Sequence, residues 1–145
     1  LGLVRDVKNV NAQLLKTLCA SGTIPVIAPV AIDRAGGKLN VNADSAAGKV
    51  AAAVEAEKFV SVSDTNGILT DVKDPDSGIS SATEAEIKNM ISTGVISSGM
   101  LPKVEACLIA LEGGVKKAHI IDGQTRHSLL LEIYTKEGVG TQIEK

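Results

Sequence analysis

The chain has 145 residues, a formal net charge of −2 and 44% hydrophobic residues. That is enough apolar material for one domain with its own core, and it excludes a disordered chain. The weak negative charge gives no general attraction to nucleic acid or anionic membrane, and an aromatic content of 1% excludes base stacking as a binding mode.

In chain order, Val7, Val10, Leu14 and Leu18 recur at helical spacing, with Gly22 as a stop. Ile24 to Val30 is an apolar run carrying Pro25 and Pro29. It reads as a buried strand whose ends the prolines set. Gly36-Gly37 marks a turn, and Leu39 to Asn42 reads as extended. Asp44 is expected to cap a helix with Ala46, Ala47, Val50, Ala51 and Val54 on its apolar face. Phe59 to Val62 is a second buried strand ending at Ser63-Asp64. The stretch around Asn66-Gly67 and from Asp71 to Gly78 is turn-rich. Thr83 and Glu86 have capping-box spacing ahead of Ile87, Met90 and Ile91. Gly99 opens a further helix, with Pro102 in its first turn and Leu101, Val104, Leu108 and Leu111 along one face. Gly113-Gly114 end it. Ala118 to Ile121 is a third core strand, Ser128 to Tyr134 a helix, and Gly140 to Ile143 a terminal strand.

Strands alternate with helices, which predicts an α/β fold: three layers, α/β/α, around a mostly parallel sheet with right-handed crossovers. Ligands on such sheets bind beyond the carboxyl ends of strands. Asp64 and, roughly, Asp122 sit at such ends. No apolar run is long enough to cross a membrane. Cys19 and Cys107 each lie in an apolar helical pattern and read as buried reduced thiols.

Several residues invite a chemical reading beside a structural one. Asn40 and Asn42 would point to one face of an extended backbone, as a grip for an anion or as turn residues satisfying local backbone. Asp44 is either a helix cap or a carboxylate orienting lysines. Lys103 sits in a first helical turn, where the dipole disfavours a cation unless an anion compensates; a phosphate would do so, with Ser98 and Gly99 adding backbone N–H groups. Asp64 could meet a nucleotide or begin an Asx turn. His119 reads as a satisfied core or edge histidine. His127 could cap the following helix or bind a ligand. The sequence has no Walker loop, no paired-cysteine metal spacing, no nucleophile-elbow serine and no protein-kinase signature set.

Three segments carry a family resemblance: Asn40-Val41-Asn42-Ala43-Asp44, Ser63-Asp64-x-x-Gly67, and Gly99-Met100-x-x-Lys103. In that order they resemble the C-terminal, nucleotide-binding half of the amino-acid kinase family. The first is closer to its acetylglutamate-phosphorylating branch. The run His127-Ser128-Leu129-Leu130-Leu131-Glu132, with Glu137-Gly138-Val139-Gly140-Thr141, resembles the arginine-inhibited members of that branch.

The resemblance implies transfer of the ATP γ-phosphoryl group to the side-chain carboxylate of N-acetyl-L-glutamate, a step of arginine biosynthesis. It implies Lys103 on the transferring phosphoryl, Asp44 orienting Lys103 and a second lysine, and Asn40 and Asn42 on the acceptor. It implies Ser63, Asp64, Gly99, Met100 and Lys103 around the nucleotide. Mg²⁺ would be held through ATP phosphates, with no protein metal site. His127, Glu132, Glu137 and Gly138 would form a feedback arginine site. Further implied partners are a PII-type signalling protein and, in the full-length enzyme, further copies of the chain. The implied location is the cytoplasm for a bacterial protein and the plastid for a plant or algal one. Residues 1–145 would be the C-terminal half of the domain, inactive without an N-terminal half that supplies another lysine and an arginine. Two other readings stand beside this one. One is a non-catalytic arginine- or PII-binding module, and the other is a related carboxylate or carbamate kinase.

Overall fold

The computed structural model describes residues 5–74, 76–135 and 138–145. Its centre is a four-stranded sheet of β3 (Lys58–Ser63), β7 (Lys117–Asp122), β8 (Thr141–Glu144) and β6 (Ser81–Thr83), in the order β3-β7-β8-β6. β3 pairs with β7, and β6 with β8, in parallel; β7 and β8 run antiparallel. Ala118, His119, Ile120 and Ile121 of β7 are all buried, as a central strand covered on both faces requires.

Alternation along β7 separates the two faces. Ala118 and Ile120 join the main core with Phe59, Ala82 and Ile143. On that side α2 (Ala43–Val54), α3 (Glu84–Ser92) and α4 (Leu101–Glu112) cover the sheet. α4 contributes Val104, Ala106, Cys107, Leu108, Ala110 and Leu111, which are all buried. His119 faces the other layer, where α5 (Ser128–Tyr134) packs. The three-layer arrangement is therefore as the sequence predicts.

The helix ends follow local chemistry. Thr83 Oγ1 accepts from Glu86 N, and the Glu86 carboxylate accepts from Thr83 N, closing the predicted capping box. Pro102 stands in the first turn of α4, where its missing N–H costs nothing, and Gly113 caps the other end.

Four expectations need correction. α1 spans Ala12–Ala20, so Val7 and Val10 precede the helix. Ile24 to Pro29 form no strand; Ile24 is 86% exposed and Val26 96%. Pro25 and Pro29 each lack a ladder donor, and strand structure begins only with β1 (Val30–Ile32), paired antiparallel with β2 (Lys38–Asn40). The N-cap of α2 is Asn42, not Asp44: Asn42 has extended φ/ψ, and its Oδ1 accepts from Ser45 N at 2.9 Å. Asp44 sits inside the first turn, where the dipole still favours it. Cys19 is exposed on α1, while Cys107 is buried as expected. Two short strands, β4 (Ile68–Leu69) and β5 (Gly78–Ile79), form a hairpin in the turn-rich stretch.

Candidate functional site

A cleft of about 610 Å³ opens at the carboxyl end of β3. Its walls come from two stretches far apart in sequence, one running from Asp64 to Val72 and the other from Val95 to Lys103. Asp64, Gly99, Met100 and Lys103 thus meet as the sequence motifs led one to expect. Ser63 is not among the lining residues but touches two of them. Its Oγ donates to Asp64 Oδ1 at 3.3 Å and lies 3.1 Å from Thr65 Oγ1.

Each wall has a local cause. Gly67 has φ +73°, and a Cβ there would stand 2.5 Å from Thr141 Oγ1, so the turn after Asp64 requires glycine. Ser98 also holds a positive φ, +45°, at the start of the 3-10 turn Ser98–Met100 that leads into α4. Within the described residues, no hydrogen bond uses the N–H of Ser98 or Gly99. Two exposed backbone donors and the Lys103 ammonium therefore border one cleft, an arrangement suited to an anion. The cleft's apolar wall, Ile68, Leu69, Val72, Val95 and Ile96, suits a flat, partly apolar group. Sequence reasoning missed Thr65 and that apolar wall. Its signal was apolar residues set in polar turns: Ile68-Leu69, Val72 and Val95-Ile96.

Asp44 and Lys103 occupy the first turns of α2 and α4. These helices lie side by side in the same direction, since Gly48 packs on Ala106 and, further along, Ala52 packs on Gly113. Both first turns therefore sit at one end. The side chains are half-buried and form no ion pair within 4 Å, among the described residues. Burial first, then the negative charge of Asp44, pushes the Cys107 thiol up to about 12.

Asn40 and Asn42 do not line this cleft. Asn40 is exposed on β2, where its carbonyl accepts from Arg5 N at 3.0 Å. The Asn42 side chain is engaged in capping α2.

His127 precedes α5, Glu132 lies within it, and Gly138 follows it. His127 is the exposed N-cap, with φ +61° and no side-chain cap bond; its Nε2 accepts from Arg126 Nε at 3.1 Å. Glu132 is buried. Its Oε1 lies 2.7 Å from His119 Nδ1, and its Oε2 accepts from Val139 N at 2.7 Å and Gly140 N at 3.1 Å. Burial opposes the charge, but the Val139 N–H and His119 outweigh it and hold the carboxyl below its ordinary range. His119 Nε2, by contrast, is buried without a partner among the described residues. Gly138 has φ +65° and sits against the Glu132 carboxylate. Glu137 lies outside the described residues.

Among the described residues, no cluster of three His, Cys, Asp or Glu side chains could hold a metal ion. Nor, among them, is any helix long and apolar enough to cross a membrane.

The chain is 50% identical over all 145 residues to the acetylglutamate kinase of Pelotomaculum thermopropionicum, covering 49% of that protein. It is equally similar to the acetylglutamate kinase of Methanobrevibacter smithii, covering 50% of it. The chain thus spans about half the length of the curated relatives it matches. Among solved structures, N-acetylglutamate synthase from Neisseria gonorrhoeae complexed with coenzyme A and L-arginine superposes on 95% of the chain, with TM-score 0.85 and 27% identity; the match covers 31% of that protein. Carbamate kinase from Giardia lamblia bound to AMP-PNP shares the fold over 96% of the chain, with TM-score 0.72, 21% identity and 46% of its own length covered. Residues 2–122 match one sequence family across most of this fold, cleft included, and on that match the chain belongs to the amino acid kinase family.

Proposed function

We propose that this chain is the C-terminal, nucleotide-binding half of an acetylglutamate kinase, which moves the ATP γ-phosphoryl group to the side-chain carboxylate of N-acetyl-L-glutamate. One observation carries the reading: Asp64, Gly99, Met100 and Lys103 line a single cleft beside two backbone N–H groups that no described residue engages. The half-identical relatives, themselves acetylglutamate kinases, support the choice of acceptor.

The chemistry fits the residues. A carboxylate acceptor is already ionised at neutral pH, so no general base is required. The task is to bring two anions together and offset the charge that accumulates, which fixed cations and N–H groups accomplish. Lys103 and the N–H groups of Ser98 and Gly99 hold the phosphates. Asp64 and the apolar wall meet the nucleoside. Asp44, at the same helix end, is assigned the orienting of Lys103 on the motif that carries it. A magnesium ion would ride on phosphate oxygens, since among the described residues Asp64 is the cleft's one carboxylate. Asn40 and Asn42 are assigned to the acceptor side on the motif that carries them.

Calorimetry of the purified chain with MgATP tests the reading. One-to-one binding that weakens in Lys103→Met is expected; a folded chain that ignores MgATP would overturn it. Acetylglutamate-dependent ADP release by this chain alone would contradict the need for the other half of the cleft.

Arginine sensing is a second reading, favoured by the arginine complex of the Neisseria relative. Glu132 contributes to it through the turn it holds, because both its oxygens are engaged. Arginine titration of the same sample tests it. The remaining partners of the reading are a PII-type protein and further copies of the chain, in the cytoplasm or a plastid.

A further inference from the structure

The cleft's Gly67–Leu69 wall is held from behind. β4 and β5 pair through two residues each, too short a ribbon to fix its own position. Thr141, at the start of β8, supplies the fastening. Its buried Oγ1 accepts from Ile68 N at 2.8 Å and donates to the Ile79 carbonyl at 2.5 Å, so one hydroxyl ties both strands of the hairpin to the central sheet. The same oxygen fills the space where a Cβ on Gly67 would stand.

Thr141 is itself set by its neighbours. Gly140 presses on the Ile120 carbonyl so closely that no side chain fits there. The N–H groups of Val139 and Gly140 both donate to Glu132 Oε2, while Glu132 Oε1 is held by His119 of β7. An unbroken run of short contacts thus leads from the middle of the sheet, through α5, to the cleft wall.

We infer that Thr141 is a positioning residue for the nucleotide, holding the Gly67–Leu69 wall at its working distance from Lys103, with Glu132 setting Thr141. This deepens the nucleotide-site reading above and rests on it. A buried hydroxyl that merely completed β8 would affect stability alone; a positioning hydroxyl also affects affinity.

The test uses amide hydrogen exchange by NMR together with MgATP calorimetry on the whole chain. In Thr141→Val, which keeps the shape and removes the hydroxyl, Ile68 N–H should exchange about tenfold faster and MgATP should bind about fivefold more weakly, the scale of one lost hydrogen bond. Exchange in β3 and β7 should not change. Thr141→Ser, which restores the hydroxyl, should return both values to within about twofold of the parent. If Thr141→Val fails to fold, Glu132→Gln takes its place, and Ile68 exchange and MgATP affinity should shift together in the same directions. Faster Ile68 exchange with unchanged affinity overturns the positioning role alone. Absence of MgATP binding in the unaltered chain overturns the nucleotide reading and this inference with it.

Discussion

Gly48 of α2 meets the backbone of Ala106 in α4, and a Cβ at position 48 would lie 2.6 Å from the Ala106 carbonyl oxygen. The neighbouring atom is backbone and cannot swing aside. This contact sets the spacing of the two helices whose first turns carry Asp44 and Lys103. In Gly48→Ala the helices must separate or shift, at a cost of about 2 kcal/mol for overpacking. Its melting temperature should fall by several degrees, read by circular dichroism, and MgATP affinity should fall with it. An unchanged melt and affinity would show that the helix pair yields freely.

Lys103 has no protein partner within ion-pair distance among the described residues. Replacing it should leave stability nearly untouched and act on the ligand. Lys103→Met is expected to weaken MgATP binding by about 10- to 100-fold, the worth of a charge-assisted hydrogen bond. Calorimetry beside a thermal melt separates the two effects.

Gly67 and Gly99 both border the cleft, but only Gly67 combines a positive φ with a filled Cβ position. Gly67→Ala should lose about 1–3 kcal/mol through backbone strain and collision with Thr141. A Cβ on Gly99 meets nothing within 4 Å, so Gly99→Ala should melt with the parent chain. Equal melting of the two variants would remove the structural reason for the glycine at 67.

The depressed carboxyl of Glu132 links stability to pH. A group whose folded pKa lies below its unfolded value, here 4.5, stabilises the fold above that value and loses the contribution as pH falls through the folded pKa. Urea midpoints of the parent chain should therefore drop below about pH 4.5. Glu132→Gln should start lower at pH 7, fall less steeply, and approach the parent curve at low pH. Asp6, Glu55 and Glu86 are also held low, by Lys49, Lys16 and Thr83 respectively, so a residual slope remains in the variant.

The two cysteines should differ in reactivity. Cys19 is exposed, whereas burial beside Asp44 raises Cys107 to about 12. A disulfide reagent at pH 8 should label one thiol promptly and the second only after denaturant is added. Prompt labelling of both would mean that α4 opens readily.

What was legible in the sequence was local. The Thr83–Glu86 box, Pro102 with Gly113 around α4, and the strands at Phe59 and Ala118 each carry their own signal within a few residues. The motif residues Asp64, Gly99, Met100 and Lys103 were legible as a group through the family motifs that carry them, although only the turn at Gly67 has a glycine its backbone requires. Ile24 to Pro29 misled because apolar composition records a tendency to be covered, not the presence of a cover. Asn42 and Asp44 are both cap-competent, and only the extended backbone at 42 decides between them. The reversal of β8 and the work of the Thr141 hydroxyl depend on residues about 60 to 70 positions away, which no short window contains.

β8 enters the sheet between β7 and β6 rather than at its margin. β6 hydrogen-bonds in this sheet to β8, so the strand leading into the capping box of α3 gains its partner only when Thr141–Glu144 is in place. On a ribosome, the sheet would stay split in two until that segment clears the exit tunnel. The sheet's last contacts thus wait for the latest-made of its four strands, and loss of Thr141–Glu144 would part β6 from β7 in the middle of the sheet.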